Sequence, residues 1–367
     1  MKRPIVITGG GTGGHIFPML AIAEQLEVLG VAKNELRYVG SRRGQEKDLL
    51  SGDIHLTLLP GRGIRRSLRP QAIVANVGAV ISLGVAFISA IINVGIWRPR
   101  VIVSVGGYAS FATSLAGALW HVPLVSVELD AVPSASQRYL VKHAALRCTA
   151  FENSMANCVT TGVPIRAALE QLDRSESARS QLRNVQIPPV RTNNDVVVVM
   201  TGSLGAKSVN TAVLELAKLW STKDLLTIIH VTGRRDYEFV KNNAPSCSGL
   251  DYRIIPFGEM NELWALCDVA ITRAGAMTVG ELCQLGIPSV LIPLPGAPGD
   301  HQTKNAEKLV ASGGALMIRD FELNATVLAS ALELVIEKKI TMSSATASLA
   351  RHNAAQSIAS HVLEIAR

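Results

Sequence analysis

The sequence predicts an α/β chain made of two doubly wound, Rossmann-like domains facing a cleft. Three observations predict this. Short apolar runs alternate with helical patterns at the spacing of a parallel sheet. A glycine-rich turn, Gly9 to Gly14, follows the first apolar run, and the whole pattern restarts at Asp195 with a second run and a second glycine turn. The 367 residues, 48% hydrophobic and 18% charged, suffice for two cores and exclude a disordered or fibrous chain.

In order, Pro4–Ile7 reads as a strand, the glycine cluster as a tight turn, and Ile16–Leu29 as a helix stopped by Gly30. This is the opening of a dinucleotide-type fold. Further short apolar runs at 36–40, Ile54–Leu59, Val101–Val105 and Leu124–Val127 read as buried strands. Residues 173–195, rich in Ser, Arg, Asn and Pro, read as a polar linker. The restart is Val196-Val197-Val198-Val199-Met200, then Thr201-Gly202-Ser203-Leu204-Gly205-Ala206 and a helix to about Trp220. Strands recur near 226–231, 252–255, 268–272 and 288–292, and 344–367 reads as an Ala-rich helix. Domain limits are expected at 1–163 and 164–343, with 344–367 packing back on the first domain.

Between Arg69 and Arg98 lie 28 residues with no charge and no His. Their length and composition suit a membrane-spanning helix. Three Gly, two Asn and a position inside an α/β repeat argue instead for a helix buried on one face, with its other apolar face on the membrane surface. The basic loop Gly61–Arg69 would supply cations for anionic headgroups. An ordinary core helix beside a solvated loop is the competing reading. The net charge of +7 favours an anionic partner, and an aromatic content of 4% argues against base-stacking nucleic-acid modules. Five cysteines, none in a CxxC pair, and no preceding signal peptide are read as reduced core thiols of a cytosolic protein, with no zinc site.

Four motifs carry chemistry. Gly9, Gly11 and Gly14 satisfy the dinucleotide-turn spacing, but the second strand ends Gly40-Ser41-Arg42-Arg43, without the ribose-binding carboxylate that turn requires. His15 follows the turn directly, where amides can receive an anion and an imidazole can reach a hydroxyl. A tight turn with no ligand is the alternative. The second turn, 202–206, has the form of a diphosphate cradle and is not a Walker loop. In Thr272-Arg273-Ala274-Gly275-Ala276-Met277-Thr278-Val279-Gly280-Glu281, Glu281 can accept from a ribose diol. Thr278 and Glu281 also have the spacing of a capping box. The Pro/Gly-rich loop 293–299 delivers Asp300, His301 and Gln302 to a helix start. No D-x-D, Ser-His-Asp elbow or H-E-x-x-H occurs.

The stretches GGGTGGHIFPMLAIAEQL, VGGYAS, TGVPIR, GSLGA, RAGAMTVGEL and DHQTKNA, in this order from residue 9 to 306, closely resemble the MurG family. The resemblance implies the GT-B architecture and an inverting transfer of N-acetylglucosamine (GlcNAc) from UDP-GlcNAc to the C4 hydroxyl of N-acetylmuramic acid (MurNAc) in undecaprenyl-linked lipid I. The product would be lipid II for peptidoglycan, without cofactor or metal, at the cytoplasmic face of the plasma membrane. It implies roles in cell-wall biogenesis, cell shape and division, with an anionic membrane surface and other cell-wall synthesis proteins as partners and no nucleic acid. His15 would be the proton acceptor and Glu128 the second candidate. Thr12, Gly13 and Gly14 would lie near the sugar and diphosphate, and Tyr108 in the acceptor domain. Arg166 and Ser203 would contact the nucleotide-sugar and its diphosphate, and Phe257 would stand where backbone reads uracil. Ala276, Met277, Thr278, Val279, Gly280 and Glu281 would hold diphosphate and ribose, and Gln302 the sugar hydroxyls. One segment and two single positions depart from the family pattern. Val127-Glu128-Leu129-Asp130 replaces a His-Glu-Gln-Asn type segment, Leu204 replaces a Gln, and Pro164 replaces an Asn. Asp130 can accept from a sugar hydroxyl but cannot donate as an amide does. Another GT-B acceptor, or a non-catalytic UDP-sugar binder, are the alternative functions.

Overall fold

A computed structural model describes residues 3–11, 13–44, 46–50, 54–61, 70–152, 154–186, 188–202 and 205–367, with the side chains of 48, 49, 70–77, 108 and 135 set aside. It divides into two compact units, residues 1–167 with 351–367, and residues 168–350.

The first unit runs β1 (Ile5–Thr8), α1 (Gly13–Val28), β2 (Leu36–Ser41), α2 (Glu46–Leu49), β3 (Leu56–Leu59), α3 (Pro70–Trp97), β4 (Val101–Ser104), α4 (Tyr108–Leu119), β5 (Leu124–Glu128), α5 (Ala135–Leu140), β6 (Leu146–Thr149) and β7 (Val159–Thr160). Its seven strands are parallel in the order β3-β2-β1-β4-β5-β6-β7. The strand order reverses between β1 and β4, which pair Ile5 with Val101 and Thr8 with Ser104. β1, β4 and β5 are buried along their whole length. That is why they read as unbroken apolar runs rather than alternating ones.

The second unit begins with α6 (Ala167–Glu170) and α7 (Glu176–Val185). It continues with β8 (Asp195–Met200), α8 (Lys207–Leu219), β9 (Leu226–Val231), α9 (Tyr237–Asn242), β10 (Asp251–Ile255), α10 (Met260–Leu266), β11 (Val269–Thr272), α11 (Ala276–Leu285), β12 (Ser289–Leu291), α12 (His301–Ser312), β13 (Ala315–Met317), α13 (Ala325–Glu337) and α14 (Lys339–Ala347). Its six-stranded parallel sheet has the order β10-β9-β8-β11-β12-β13, the doubly wound pattern with its reversal between β8 and β11. Val197, Val199, Val213, Leu216, Ile271 and Leu332 anchor the core on one face.

Two expectations are corrected. The polar stretch 173–195 contains α7, capped by Ser175, whose side chain accepts from the Ala178 amide. The two arginines of α7 are held by protein partners. Arg179 pairs with Asp268 at 2.5 Å, and the buried Arg183 donates to the carbonyls of Arg191, Thr192 and Asn194. Guanidinium groups saturated by carbonyls are buried without an apolar signal. The single helix expected over 344–367 is two, since α14 ends at Ala347 and α15 (Ala354–Ile365) begins after a turn. Helix α15 completes the first unit by packing on α1 through Ala355, Ile358, Ala359 and Val362. With the sheet on one side and α15 on another, α1 buries Ile16, Met19, Ala21, Ile22, Ala23 and Leu26.

The charge-free segment is the single helix α3, packed on α4. Ala79, Ala86, Ala90 and Val94 are buried, while Ile81, Val85, Ile88, Ile92 and Ile96 are each more than half exposed. Residues 78–97 are long and apolar enough to cross a membrane by length and composition alone. The buried small-residue face instead holds the helix against its own domain. The basic loop expected at 62–69 lies outside the described residues.

Candidate active site

Parallel strands of a doubly wound sheet point their carboxyl ends at the ligand crevice, and the order reversal opens it. In the first unit the two loops at that point are glycine-rich and interlocked. Gly106 and Gly107 adopt φ of 112° and 86°, the left-handed region open to glycine. A Cβ on Gly107 would collide at 2.5 Å with the Gly10 carbonyl, and one on Gly106 would stand 2.9 Å from the His15 ring. So the missing side chains let the β4–α4 loop close on the β1–α1 loop and seat the imidazole of His15. His15 is the third residue of α1, after Gly13 and Gly14. Gln137 lies beside Gly106 and is itself fixed, accepting from the Ser126 hydroxyl at 3.0 Å and donating to the Val127 carbonyl at 3.2 Å.

Glu128 ends β5 on this same edge of the sheet. It is 5% exposed, and the Asp130 amide donates to its Oε1 at 3.1 Å. Burial pushes its carboxyl up to about 7, against the pull of the amides. A group titrating there exchanges protons at working pH.

Glu46 is a site residue that sequence reasoning missed. Fully buried at the start of α2, its Oε1 accepts from the Gly11 amide at 2.9 Å and the Ser41 amide at 2.7 Å. It pins the first glycine loop to the end of β2. Only the crowding of Gly10, Gly40 and Gly44 around its carboxylate hints at this role, and no spacing rule encodes it.

Arg166 bonds Glu24 of α1 through Nε at 3.1 Å. Asp130 follows Glu128 in the loop after β5 and is half-buried. Tyr108 opens α4, its side chain among those set aside, and Thr12 and Ser203 lie outside the described residues.

In the second unit the β8–α8 turn passes through Gly202 and Gly205, with φ of 85° and 83°. Across the reversal, α11 starts at Ala276 with Gly275 as N-cap and no side-chain cap. Thr278 and Glu281 are therefore inside the helix, which removes the capping-box reading. The first-turn amides of α11, from Ala276 through Thr278, lack intrahelical partners and carry the positive end of the helix dipole. Val279 is buried and Gly280 half-buried. Glu281 is 9% exposed and accepts at Oε2 from the Trp264 indole at 2.9 Å. Burial raises its carboxyl to about 7. Trp264, fully buried on α10, was also missed. A buried indole needs an acceptor for its N–H, and that need is the one signal by which the pair could have been found. The α11 turn is held by Asn305 of α12, which donates to the Ala274 carbonyl at 3.1 Å.

Gln302 accepts from the Leu294 amide at 2.9 Å, tying α12 to the Pro/Gly-rich loop. Asp300 caps α12 in the left-handed conformation and bonds Thr303 at 2.7 Å. Phe257, just past β10, is half exposed with the Arg234 guanidinium 5.4 Å above its ring.

Residues 5–146 match the glycosyltransferase family 28 N-terminal domain and residues 196–362 the glycosyltransferase family 28 C-terminal domain. Fold and domains together define a glycosyltransferase of the GT-B class. A relative from Moorella thermoacetica, named UDP-N-acetylglucosamine–N-acetylmuramyl-(pentapeptide) pyrophosphoryl-undecaprenol N-acetylglucosamine transferase, is 34% identical over 98% of both chains. One of the same name from Marinobacter nauticus is 31% identical over 100% of this chain and 98% of its own. The crystal structure of Acinetobacter baumannii MurG matches with a TM-score of 0.75 and 25% identity, covering 98% of this chain and 99% of that one. The chain belongs to the MurG family.

Proposed function

We propose that this protein moves N-acetylglucosamine from UDP-GlcNAc to the C4 hydroxyl of the N-acetylmuramic acid of lipid I, forming lipid II. The reading rests on the end-to-end relationship to enzymes named for this transfer. The strand carboxyl ends of each unit supply groups suited to it. The C4 oxygen attacks the anomeric carbon from the face opposite the diphosphate. The C1–O bond to the diphosphate breaks, UDP leaves with that electron pair, and the anomeric configuration inverts. The hydroxyl proton passes to His15, whose ring is seated at the first glycine loop. Glu128 is the second acceptor, since a carboxyl titrating near 7 is partly ionised at neutral pH.

The second unit receives the donor. Glu281 accepts from the ribose diol, and the amides of α8 and α11 stabilise the charge that grows on the leaving diphosphate. Ser203, Ala276, Met277, Thr278, Val279 and Gly280 complete the diphosphate and ribose contacts. The backbone at Phe257 reads uracil, and Gln302 with Asp130 and Arg166 touches the sugar or nucleotide. Thr12, Gly13 and Gly14 lie near the sugar and diphosphate, and Tyr108 belongs to the acceptor domain. The outward stripe of α3 lies in the membrane surface, so that the enzyme is peripheral on the cytoplasmic face and meets lipid I there. Its product serves cell-wall growth, shape and division, alongside other cell-wall synthesis proteins.

Steady-state assays with UDP-GlcNAc and a lipid I analogue test the reading. Turnover on the analogue, with inversion, is expected. Activity confined to simple glycosides, or UDP-GlcNAc binding without product, would refute it. Asp130 in place of an amide favours one variation, a donor-sugar preference broadened beyond GlcNAc. Comparing UDP-GlcNAc with UDP-glucose in the same assay decides that point.

A further inference from the structure

Beside Gly205 a line of polar side chains runs through the second unit, from the half-buried Tyr252 to the exposed Arg235, in none of the four motifs. Tyr252 on β10 meets His230 on β9, with 2.7 Å between its hydroxyl and Nδ1. His230 Nε2 lies 2.9 Å from Asn210 Oδ1 on α8. Asn210 Nδ2 donates to the Thr232 carbonyl at 3.1 Å and to Asp236 Oδ2 at 3.0 Å. Asp236 is held in turn by Arg235 through Nε at 2.8 Å and Nη2 at 3.1 Å, and the same Nη2 donates to the Gly205 carbonyl at 3.2 Å. His230, Asn210 and Thr232 are fully buried.

The chemistry of the line fixes its direction. Both of its Nδ2 bonds make Asn210 a donor toward Asp236, so its Oδ1 faces His230 as an acceptor. His230 Nε2 therefore carries the hydrogen. Burial depresses the His230 pKa to about 3, so the ring is neutral and Nδ1 accepts from the Tyr252 hydroxyl. Each group has one role, and the sequence of donations runs from Tyr252 to the Asp236 carboxylate. Two fully buried polar side chains, His230 and Asn210, where aliphatic ones would pack are costly unless every partner is met. Met in full, they select one arrangement of whatever they touch.

What they touch is Gly205. A Cβ on Gly205 would lie 2.6 Å from both Asp236 Oδ2 and the Thr232 carbonyl, and one on Gly233 would lie 2.6 Å from Gly205 Cα. The end of the line thus presses directly on the Gly205 backbone, just before the helix start of α8. We propose that Tyr252, His230, Asn210 and Asp236 are positioning residues that set the Gly205 backbone at the start of α8, and thereby the affinity of the second unit for a nucleoside diphosphate. This inference rests on the donor reading given above. Arg235 keeps Asp236 from opposing the anion: its hydrogen bond holds that carboxyl below the ordinary range, and its own charge balances the carboxylate.

The test uses the full chain with UDP as the probe. Tyr252→Phe deletes only the terminal hydroxyl. Asn210→Asp keeps an acceptor for His230 but sets a second carboxylate against Asp236. UDP dissociation constants, KM for UDP-GlcNAc, KM for a lipid I analogue and kcat are measured with the melting temperature of each variant. Asn210→Asp is expected to raise the UDP Kd and the donor KM together by about tenfold or more, and Tyr252→Phe by about threefold, the scale of one compromised buried hydrogen bond. The acceptor KM and kcat at saturating donor should stay within about twofold, since no charge-bearing contact to the reacting atoms is altered. Asp236→Asn, which preserves an acceptor for Asn210, should lose less UDP affinity than Asp236→Ala. If the variants melt lower yet bind UDP as wild type does, the line is a core feature only and the inference is overturned. If Asn210→Asp fails to fold, Tyr252→Phe and the Asp236 pair still decide. Wild-type protein that fails to bind UDP overturns the donor reading itself, an outcome distinct from equal binding by all variants.

Discussion

Replacing Glu281 by Gln should move stability and donor binding in opposite directions. The carboxyl is buried beside Trp264, and its pKa stands at about 7 rather than the ordinary 4.5. The folded chain therefore retains a proton that the unfolded chain releases above pH 4.5. Glu281 imposes no penalty below that pH, and stability is lost as pH rises from 4.5 through 7. The gap between 4.5 and about 7 corresponds to roughly 3 kcal/mol at alkaline pH. Gln keeps an oxygen for the Trp264 N–H and never ionises. Urea titrations of Glu281→Gln should match wild type at pH 4.5 and show about 1–3 kcal/mol of added stability at pH 8.5. UDP affinity at pH 8 should fall about 10- to 100-fold, because a hydrogen bond to a charged acceptor is worth about 1.5–3 kcal/mol. A variant less stable than wild type at pH 8.5 would show that the carboxylate is paired rather than stranded. Unchanged UDP affinity would remove Glu281 from the ribose.

His15→Ala should lower kcat by about 10²- to 10⁴-fold and leave UDP affinity within about twofold, read by calorimetry beside turnover; equal loss of both would refute the division of roles. Trp264→Phe strands the Glu281 carboxyl and should cost about 2–4 kcal/mol in urea unfolding at pH 7. A cost below 0.5 kcal/mol, ~ the surface-site range, would mean that the indole bond contributes nothing. Ile88→Asp with Ile92→Asp should leave melting temperature unchanged, both side chains being more than half exposed. Sedimentation with phosphatidylglycerol vesicles should drop about tenfold or more, and undiminished sedimentation would take α3 off the membrane surface.

The central strands and the two glycine turns were legible because they are buried on both faces or carry left-handed backbone, and both conditions leave a mark in composition. β1, β2, β4, β5, β8, β9 and β11 appear as apolar runs within a residue or two of their limits. The edge strands β7 and β13, and β6 beside β7, did not, since they are short and only partly buried. Helix α7 was hidden because its buried groups are arginines held by carbonyls and Asp268. At the candidate site the ligand-facing positions lie in turns that the sequence marks with glycine. The residues that hold those turns do not. Glu46 reaches Gly11 across 35 residues, and Trp264 reaches Glu281 across 17. Such pairings are made by tertiary packing and leave no local periodicity to read.

Helix α15, at residues 354–365, belongs to the unit whose other elements are made before residue 168. Biogenesis is therefore out of step with chain order. Residues 168–350 can fold during translation with all their own elements in hand, whereas the helix carrying His15 waits for residues 354–365 before its second face is covered. A truncation that removes α15 would thus strike α1, far earlier in the chain, and a nascent chain stalled before residue 354 would expose the apolar flank of α1 to chaperones.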